Sequence, residues 1–481
     1  MNVNRKQAFS NFSWKLAEQI GAQMVSFIVS IILARLLMPD DYSVVSVISI
    51  ISAFCAVFID SGLSKALVQK KNTDLLDYST VLVASLFFSF ILYWILFFFA
   101  PYIAKLYGKN LLVPVIRVYS ITLIIGAFNT VQCAYISKNL LFKKYFLATI
   151  VGTIVSAFVG ISMAYTGYGP WALVAQQMTN SLIDTIILFL SSGFRPRFAF
   201  SVERIKNLWS YGIKVLGTSL LDMLYDKIRP LVVGIKFNTV DLAYYEKGSS
   251  YPGMINSTLS STLASVLFPI IAAAQDNIAE VKLITQKYIR VASFLIFPSL
   301  LGLASVANNL VLWMLTEKWM QAVPYMQIFC INYMFMLLQT GNLQAINAIG
   351  RSDIVLKLAL IKKTINFILL FVVILVAPSP LWLAALGIIT SLIAFLLNSF
   401  TNSKLLKYGL KEQVFDILPN LLSAILMACI VYLIGNIHLS LFPLLIVQII
   451  AGILIYSGIA FLTHNSNLKY CLDTLRAVVK K

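Results

Sequence analysis

Residues Trp209–Lys236 read WSYGIKVLGTSLLDMLYDKIRPLVVGIK. The length suits a bilayer, because about 20 residues rising about 1.5 Å each cross the hydrocarbon. Yet the stretch holds Lys214, Asp222, Asp226, Lys227 and Arg229. A charge at the bilayer centre costs about 2.5–3.5 kcal/mol, against about 0.3–0.6 returned by each Leu, Ile or Val. At about 100° per residue, Tyr211, Lys214, Thr218, Asp222, Tyr225, Asp226 and Arg229 fall in one sector about 120° wide, and Lys227 points away. The result is one polar stripe, about 22 Å long from Lys214 to Arg229. Such a helix inserts poorly alone, so its polar face must meet protein or water.

The chain around it has 481 residues, 59% hydrophobic and 12% charged. That excludes an ordinary soluble protein and defines an all-α integral membrane protein with many spans, its surroundings membrane lipids. The net charge of +18 would point to nucleic acid in a soluble chain. Here it reads as Lys and Arg gathered in cytoplasmic loops, and no nucleic-acid partner is expected. Five cysteines (Cys55, Cys133, Cys330, Cys429, Cys471) are scattered without a CxxC, and His438 and His464 stand alone at span ends. Neither a disulfide, a metal site, a cofactor nor a catalytic group is indicated. The N-terminus is basic through Lys15 and then apolar without a small-residue cleavage site, which reads as a retained first span.

Apolar runs bounded by charge, Gly, Pro or Asn predict 14 transmembrane helices. They lie near 14–38, 43–64, 78–101, 112–137, 145–166, 170–191, 209–235, 248–272, 291–315, 324–349, 354–377, 381–402, 416–436 and 440–463. Loop charge supports the alternation: of 37 basic residues, 27 fall on one side and five (Lys105, Lys109, Lys236, Lys247, Lys318) on the other. The richer side is cytoplasmic and carries both termini. No connection is long enough for a soluble catalytic domain. Those around Arg195–Lys206 and Ala273–Arg290 are either short amphipathic helices on the membrane surface or plain solvated loops.

Ile31–Tyr42, IILARLLMPDDY, shares with Val232–Tyr244, VVGIKFNTVDLAY, the order apolar span, basic residue, turn, Asp, Tyr. This is either an internal repeat or coincidence. As a repeat it gives two pseudo-symmetric six-helix lobes, 1–200 and 201–403, followed by two C-terminal helices and a cytoplasmic tail in 404–481, with span 7 opening the second lobe.

Other polar groups also lie within spans. Glu18 and Arg35 sit near opposite ends of span 1, Asp60 near the inner end of span 2, and Arg117 in span 4. Gln176, Gln177, Asn180 and Asp184 recur on one face of span 6, and Gln339 and Asn342 lie in span 10. Each set is either cavity lining or glue between helices, and amides suit sugar hydroxyls equally well. For the stripe of span 7 the two readings are a transport role and a self-neutralising structural network. Pro230 should kink or loosen the helix beside it.

Several stretches together resemble one family: ARLLMPDDY after span 1, FIDSGLSKALVQKK after span 2, YISKNLLFKK between spans 4 and 5, GYGPWALVAQQ at span 6 and NLQAINAIGRSDIVLK around span 10. They resemble the polysaccharide-export flippases, the Wzx-type branch of the multidrug, oligosaccharidyl-lipid and polysaccharide exporter superfamily. Ser43 stands where that family usually has Gly, which leaves the tightness of the first outer turn open.

The resemblance implies a two-lobed transporter in the bacterial inner membrane. It would move an undecaprenyl-diphosphate-linked oligosaccharide by alternating access, for capsular, exopolysaccharide or O-antigen (lipopolysaccharide) synthesis, coupled to H+ or Na+. On this mapping Arg35, Arg117, Lys214, Arg229, Gln176, Asn180, Gln339 and Asn342 would bind substrate. Asp222, Asp226, Asp60, Asp184 and Glu18 would be candidates for ion coupling, since a carboxylate shielded from water can exchange a proton. A polysaccharide polymerase is a candidate partner. The alternatives are a cation-coupled multidrug exporter of the same superfamily and, in another class, a membrane-embedded glycosyltransferase or polymerase. The last would need a large extramembrane loop that is missing here.

Overall fold

The computed structural model describes the backbone of residues 5–60, 62–195, 197–465 and 467–469, and their side chains except those of 5–20, 265, 266, 268 and 269. Among the described residues every regular element is helical. The helices are α1 (Arg5–Leu36), α2 (Pro39–Asp60), α3 (Leu63–Gln69), α4 (Leu75–Leu106), α5 (Leu112–Tyr119), α6 (Ile121–Lys138), α7 (Phe142–Tyr165), α8 (Pro170–Ser191), α9 (Val202–Lys236), α10 (Thr239–Ala273), α11 (Ile278–Leu315), α12 (Val323–Ala348), α13 (Ser352–Val376), α14 (Pro380–Leu406), α15 (Leu410–Ile434) and α16 (Leu441–Leu462). Each predicted span centres on one of them, except that α5 and α6 form a single span broken at Ser120; the span near 43–64 runs past the end of α2 at Asp60. Among the described residues 11 helices are long and apolar enough to cross a membrane. The described apolar part of α1 is the shorter Gly21–Leu36, and α9 and α10 fall outside the eleven.

The chain divides into two compact units, Met1–Ala243 and Tyr244–Lys481, with the boundary inside α10. In unit 1, α7 packs on α8 and α1, α4 on α6, and α9 on α2, α3 and α4. In unit 2, α11 is the hub, touching α12, α15 and α16, while α12 packs on α14.

Among the described residues neither inner connection forms a separate amphipathic helix. Residues 193–195 and 197–200 are non-helical and α9 begins at Val202, while after α10 the turn at 274–276 leads directly into α11.

The two stretches suggested as a repeat carry similar corner chemistry. Asp41 in the first turn of α2 accepts the N–H of Met38 at 2.8 Å. Asp241 in the first turn of α10 donates its N–H to Asn238 Oδ1 and accepts from Asn238 Nδ2, both at 2.7 Å. An acidic residue there also suits the positive helix N-terminus. Ser43 is not in the turn at all: it lies buried in α2, donates to Asp40 O at 2.6 Å and accepts from Lys109 Nζ at 2.7 Å.

Candidate functional site

The stripe of α9 stands open. Lys214, Thr218, Asp222 and Asp226 are exposed, and Tyr225, Lys227 and Arg229 are half-buried. The helix is held by its ends, where Leu208 and Gly212 are buried on one side and Pro230, Val233 and Gly234 on the other. From Ile213 to Arg229 the one buried residue is Leu216. Thr218 Oγ1 bonds back to the carbonyls of Lys214 (3.2 Å) and Val215 (2.9 Å), a bond that tends to bend helices. Pro230 does not break α9, which continues to Lys236, but it lacks the N–H that would bond Asp226 O and so releases that carbonyl from the helical ladder beside the stripe.

The base of α9 is seated by a tight corner. After α2 ends at Asp60, Gly62 turns with φ +65°, and a Cβ there would lie 2.9 Å from Val215 Cβ. Only glycine combines that left-handed backbone with so close an approach. Asp60 itself is half-buried at this corner.

The polar face of α8 lies against α7. On α7, Ala148, Gly152, Ser156, Gly160 and Ala164 recur every four residues and are all buried. Such a stripe of small residues lets two membrane helices approach closely. A Cβ on Gly160 would lie 2.9 Å from Gln176 Cβ, and one on Gly152 would overlap the Asp184 carboxylate. Ser156 Oγ donates to Asn180 Oδ1 at 3.5 Å. Neighbours on α5 and α6 take other polar groups of α8: Tyr119 OH donates to Gln177 (2.6 Å), and Asn129 Nδ2 to Thr185 (3.3 Å). Gln176, Asn180 and Asp184 are thus brought together at a helix seam.

The remaining candidates are dispersed. Arg35 is exposed in the last turn of α1, where its charge complements the helix C-terminus. The Arg117 guanidinium lies over the Phe97 ring (4.2 Å) and donates to Phe97 O (3.3 Å). The side chain of Glu18 lies outside the described residues.

In unit 2, Gln339 Nε2 donates to Ser391 O at 3.0 Å. Asn342 is fully buried, donates to Gln413 Oε1 (3.0 Å) and accepts from Asn402 Nδ2 (2.7 Å). Gln413 Oε1 also accepts from Ser399, and its Nε2 donates to Tyr408 O. Asn342 therefore belongs to a buried amide network joining α12, α14 and α15. Nearby, Arg290 of α11 grips Asp416 of α15 (2.6 Å), and Asp416 also accepts the Tyr408 hydroxyl (2.8 Å). Burial, first, and the Asp416 charge hold that phenol well above its usual range.

Unit 2 also carries an apolar groove of about 530 Å³ lined by α11, α15 and α16, including Phe294, Pro298, Met427, Gly452 and Tyr456.

Sequence reading missed a charged clamp in unit 1. Asp77, fully buried, accepts both Lys70 Nζ bonds (2.7 Å) and Arg204 Nη1 (3.3 Å), while Arg204 Nη2 reaches Asp74 (2.9 Å). Asp74 and Asp77 form a capping box on α4. Lys138 of α6 donates to the carbonyls of Leu67 and Lys70. An acidic residue three positions after an Asp, just ahead of a long apolar run, was the available signal.

Fold and site define a class, the polytopic helical membrane proteins. Within that class the chain belongs to the polysaccharide biosynthesis protein family, which matches residues 32–324, more than half its length. It is 22% identical over 486 residues to the succinoglycan biosynthesis transport protein ExoT of Rhizobium meliloti (strain 1021), covering 99% of this chain and 97% of that relative. It is 23% identical over 331 residues to the lipopolysaccharide biosynthesis protein WzxC of Escherichia coli (strain K12), covering 68% and 67%. The solved structure of the lipid II flippase MurJ, in an inward closed conformation, matches with a TM-score of 0.77 at 16% identity, over 94% of this chain and 99% of that one. An inward-facing MATE-family multidrug resistance transporter matches at 0.59 and 15% identity, over 80% and 96%. The chain is a membrane transporter of polysaccharide biosynthesis rather than an enzyme.

Proposed function

We propose that this transporter flips undecaprenyl-diphosphate-linked oligosaccharide repeat units from the cytoplasmic to the periplasmic leaflet of a bacterial inner membrane. The observation that carries the reading is the open charged stripe of α9 in a chain of this family. A span-length helix retains such charge where it meets water or a polar passenger rather than lipid. Lys214, Arg229 and Arg35 would meet the diphosphate or acidic sugars. Asp222 and Asp226 on the same stripe would exchange the coupling ion, H+ or Na+, with Asp60 and Asp184 as further candidates. Arg117, already engaged by Phe97, would act mainly by holding α5 to α4. The groove of unit 2 would seat part of the polyprenyl chain, its apolar wall matching a hydrocarbon.

In this reading α1, α9 and α10 cross along with the eleven apolar spans, giving fourteen crossings and cytoplasmic termini. Divided by the sequence repeat rather than by packing, the proposed lobes are 1–200 and 201–403, with 404–481 appended. The multidrug-exporter alternative is supported less, since the MATE neighbour fits the fold less closely than MurJ does. A polymerase partner would act on the delivered repeat units.

The test is genetic. In a strain lacking its own copy, the chain should restore surface polysaccharide and clear lipid-linked repeat units from the inner leaflet. A clean deletion with normal surface polysaccharide and no accumulated precursor would overturn the proposal.

A further inference from the structure

The described residues of the connection between α8 and α9 are non-helical, and several of them are pinned to the neighbouring helices. Phe194 is buried, stacked on Tyr135 (ring centroids 4.4 Å apart) and set edge-on to Tyr78 (4.9 Å), and its N–H donates to Ser192 Oγ. Further along, the N–H of Arg197 donates to Ser79 Oγ (3.0 Å) and that of Ser201 to Thr80 Oγ1 (3.2 Å). Both acceptors are buried on α4. Between these pins Phe198 and Phe200 are held outward, 78% and 51% exposed.

Cations accompany the two rings. Arg195, Arg197 and Lys206 are exposed. Arg195 lies over the Phe189 ring (4.3 Å) at the end of α8 and donates to Phe189 O. The acids close by are largely committed, Asp74 to Arg204 and Asp77 to Lys70 and Arg204, which leaves Glu203 on the first turn of α9. Because α8 is an apolar span ending at Ser191, this platform begins where the chain leaves the hydrocarbon.

We propose that Phe198 and Phe200, with Arg195, Arg197 and Lys206, form an interfacial anchor for anionic phospholipid of the leaflet at which α8 ends. The rings enter the headgroup–acyl boundary, and the cations hold the negative headgroups. Since Ser201 caps α9 by accepting the Arg204 N–H, the anchor fixes the depth at which the charged helix starts. The partner is the lipid leaflet, so the inference stands whether or not the passenger is a lipid-linked oligosaccharide.

The full-length chain, purified in detergent, can be titrated with phosphatidylglycerol or phosphatidylcholine and read by native mass spectrometry. Wild type should prefer phosphatidylglycerol. Each of Arg195→Ala, Arg197→Ala and Lys206→Ala should weaken that preference by up to about fivefold. Phe198→Ser with Phe200→Ser should weaken binding of both lipids alike. Competition by inorganic phosphate as effective as that by phosphatidylglycerol would assign the cations to free anions and overturn the proposal, as would equal lipid preference in wild type and in the triple variant that combines the three alanine substitutions. Should the triple variant not fold, a spin label at Phe198→Cys in the otherwise intact chain gives a second reading in phosphatidylglycerol nanodiscs. Greater access to oxygen than to a water-soluble nickel complex is expected, and the reverse order refutes the anchor.

Discussion

Replacing Asp77 by Ala tests whether the buried carboxylate organises the base of α9. Asp77 is wholly buried and receives two bonds from Lys70, one from Arg204 and one from the N–H of Asp74 at 3.2 Å. Losing its half of the capping box costs about 1 kcal/mol. The ion pairs fall between two limits, about 0–1 kcal/mol for a surface pair and about 3–5 for breaking a buried one. Lys70 and Arg204 keep 28% and 34% of their side-chain surface, so both rehydrate when the carboxylate goes. That places each pair near the surface limit, about 1 kcal/mol. The sum is about 3 kcal/mol, or about two orders of magnitude in the unfolding equilibrium. SDS titration of the purified chain in mixed micelles measures it, and proteolysis at 70–74 reports whether the loop opens first. A double-mutant cycle of Lys70→Ala with Asp77→Ala should return a coupling of about 1 kcal/mol. An Asp77→Ala protein within about 0.5 kcal/mol of wild type, the range of an ordinary surface substitution, would refute the reasoning.

Other outcomes follow from the same geometry. Lys214→Ala and Arg229→Ala should each abolish export while leaving membrane insertion intact; full export by both would return the stripe to a structural role. Gly152→Val should destabilise the α7–α8 seam by about 2 kcal/mol or more, since its Cβ would overlap the Asp184 carboxylate, and thermal unfolding in detergent would show it. Gln413→Ala should cost about 2–4 kcal/mol, because buried Asn342 and Ser399 both lose their partner; an unchanged melting curve would contradict the network. Asp74 is held below its usual 3.8 chiefly by the Asp77 N–H and then by Arg204. Its contribution is present above pH 3.8 and lost as pH falls through the lower folded value. Asp74→Asn should remove that part of the acid transition and, because the contribution is present above pH 3.8, lower stability at pH 7 by the same amount while matching wild type at low pH.

Lys109 shows how a residue can be placed by sequence without its role being legible. Loop charge put it on the outer side, but only the fold brings it 66 residues back along the chain to Ser43 Oγ, where it makes a serine useful where the family favours glycine. Asn342 shows the converse. An amide in a span suits a sugar and a neighbouring helix equally, and its surroundings decide for the second by filling its bonds with Gln413 and Asn402.

Hydropathy and loop charge are one-dimensional quantities, so the positions of the helices, the class of protein and the anomaly of Trp209–Lys236 were readable along the chain. The wheel also predicted that Lys214, Asp222 and Asp226 share a face, because helical geometry is local. Which side of α9 packs, and on what, depends on residues far away: Gly62 against Val215, and Asp77 reaching Arg204. Sequence determined that one face of that helix had to stay out of lipid. Tertiary structure decided that the helix is gripped at its ends and left open along its charged middle, because close packing needs small surfaces brought together from distant parts of the chain.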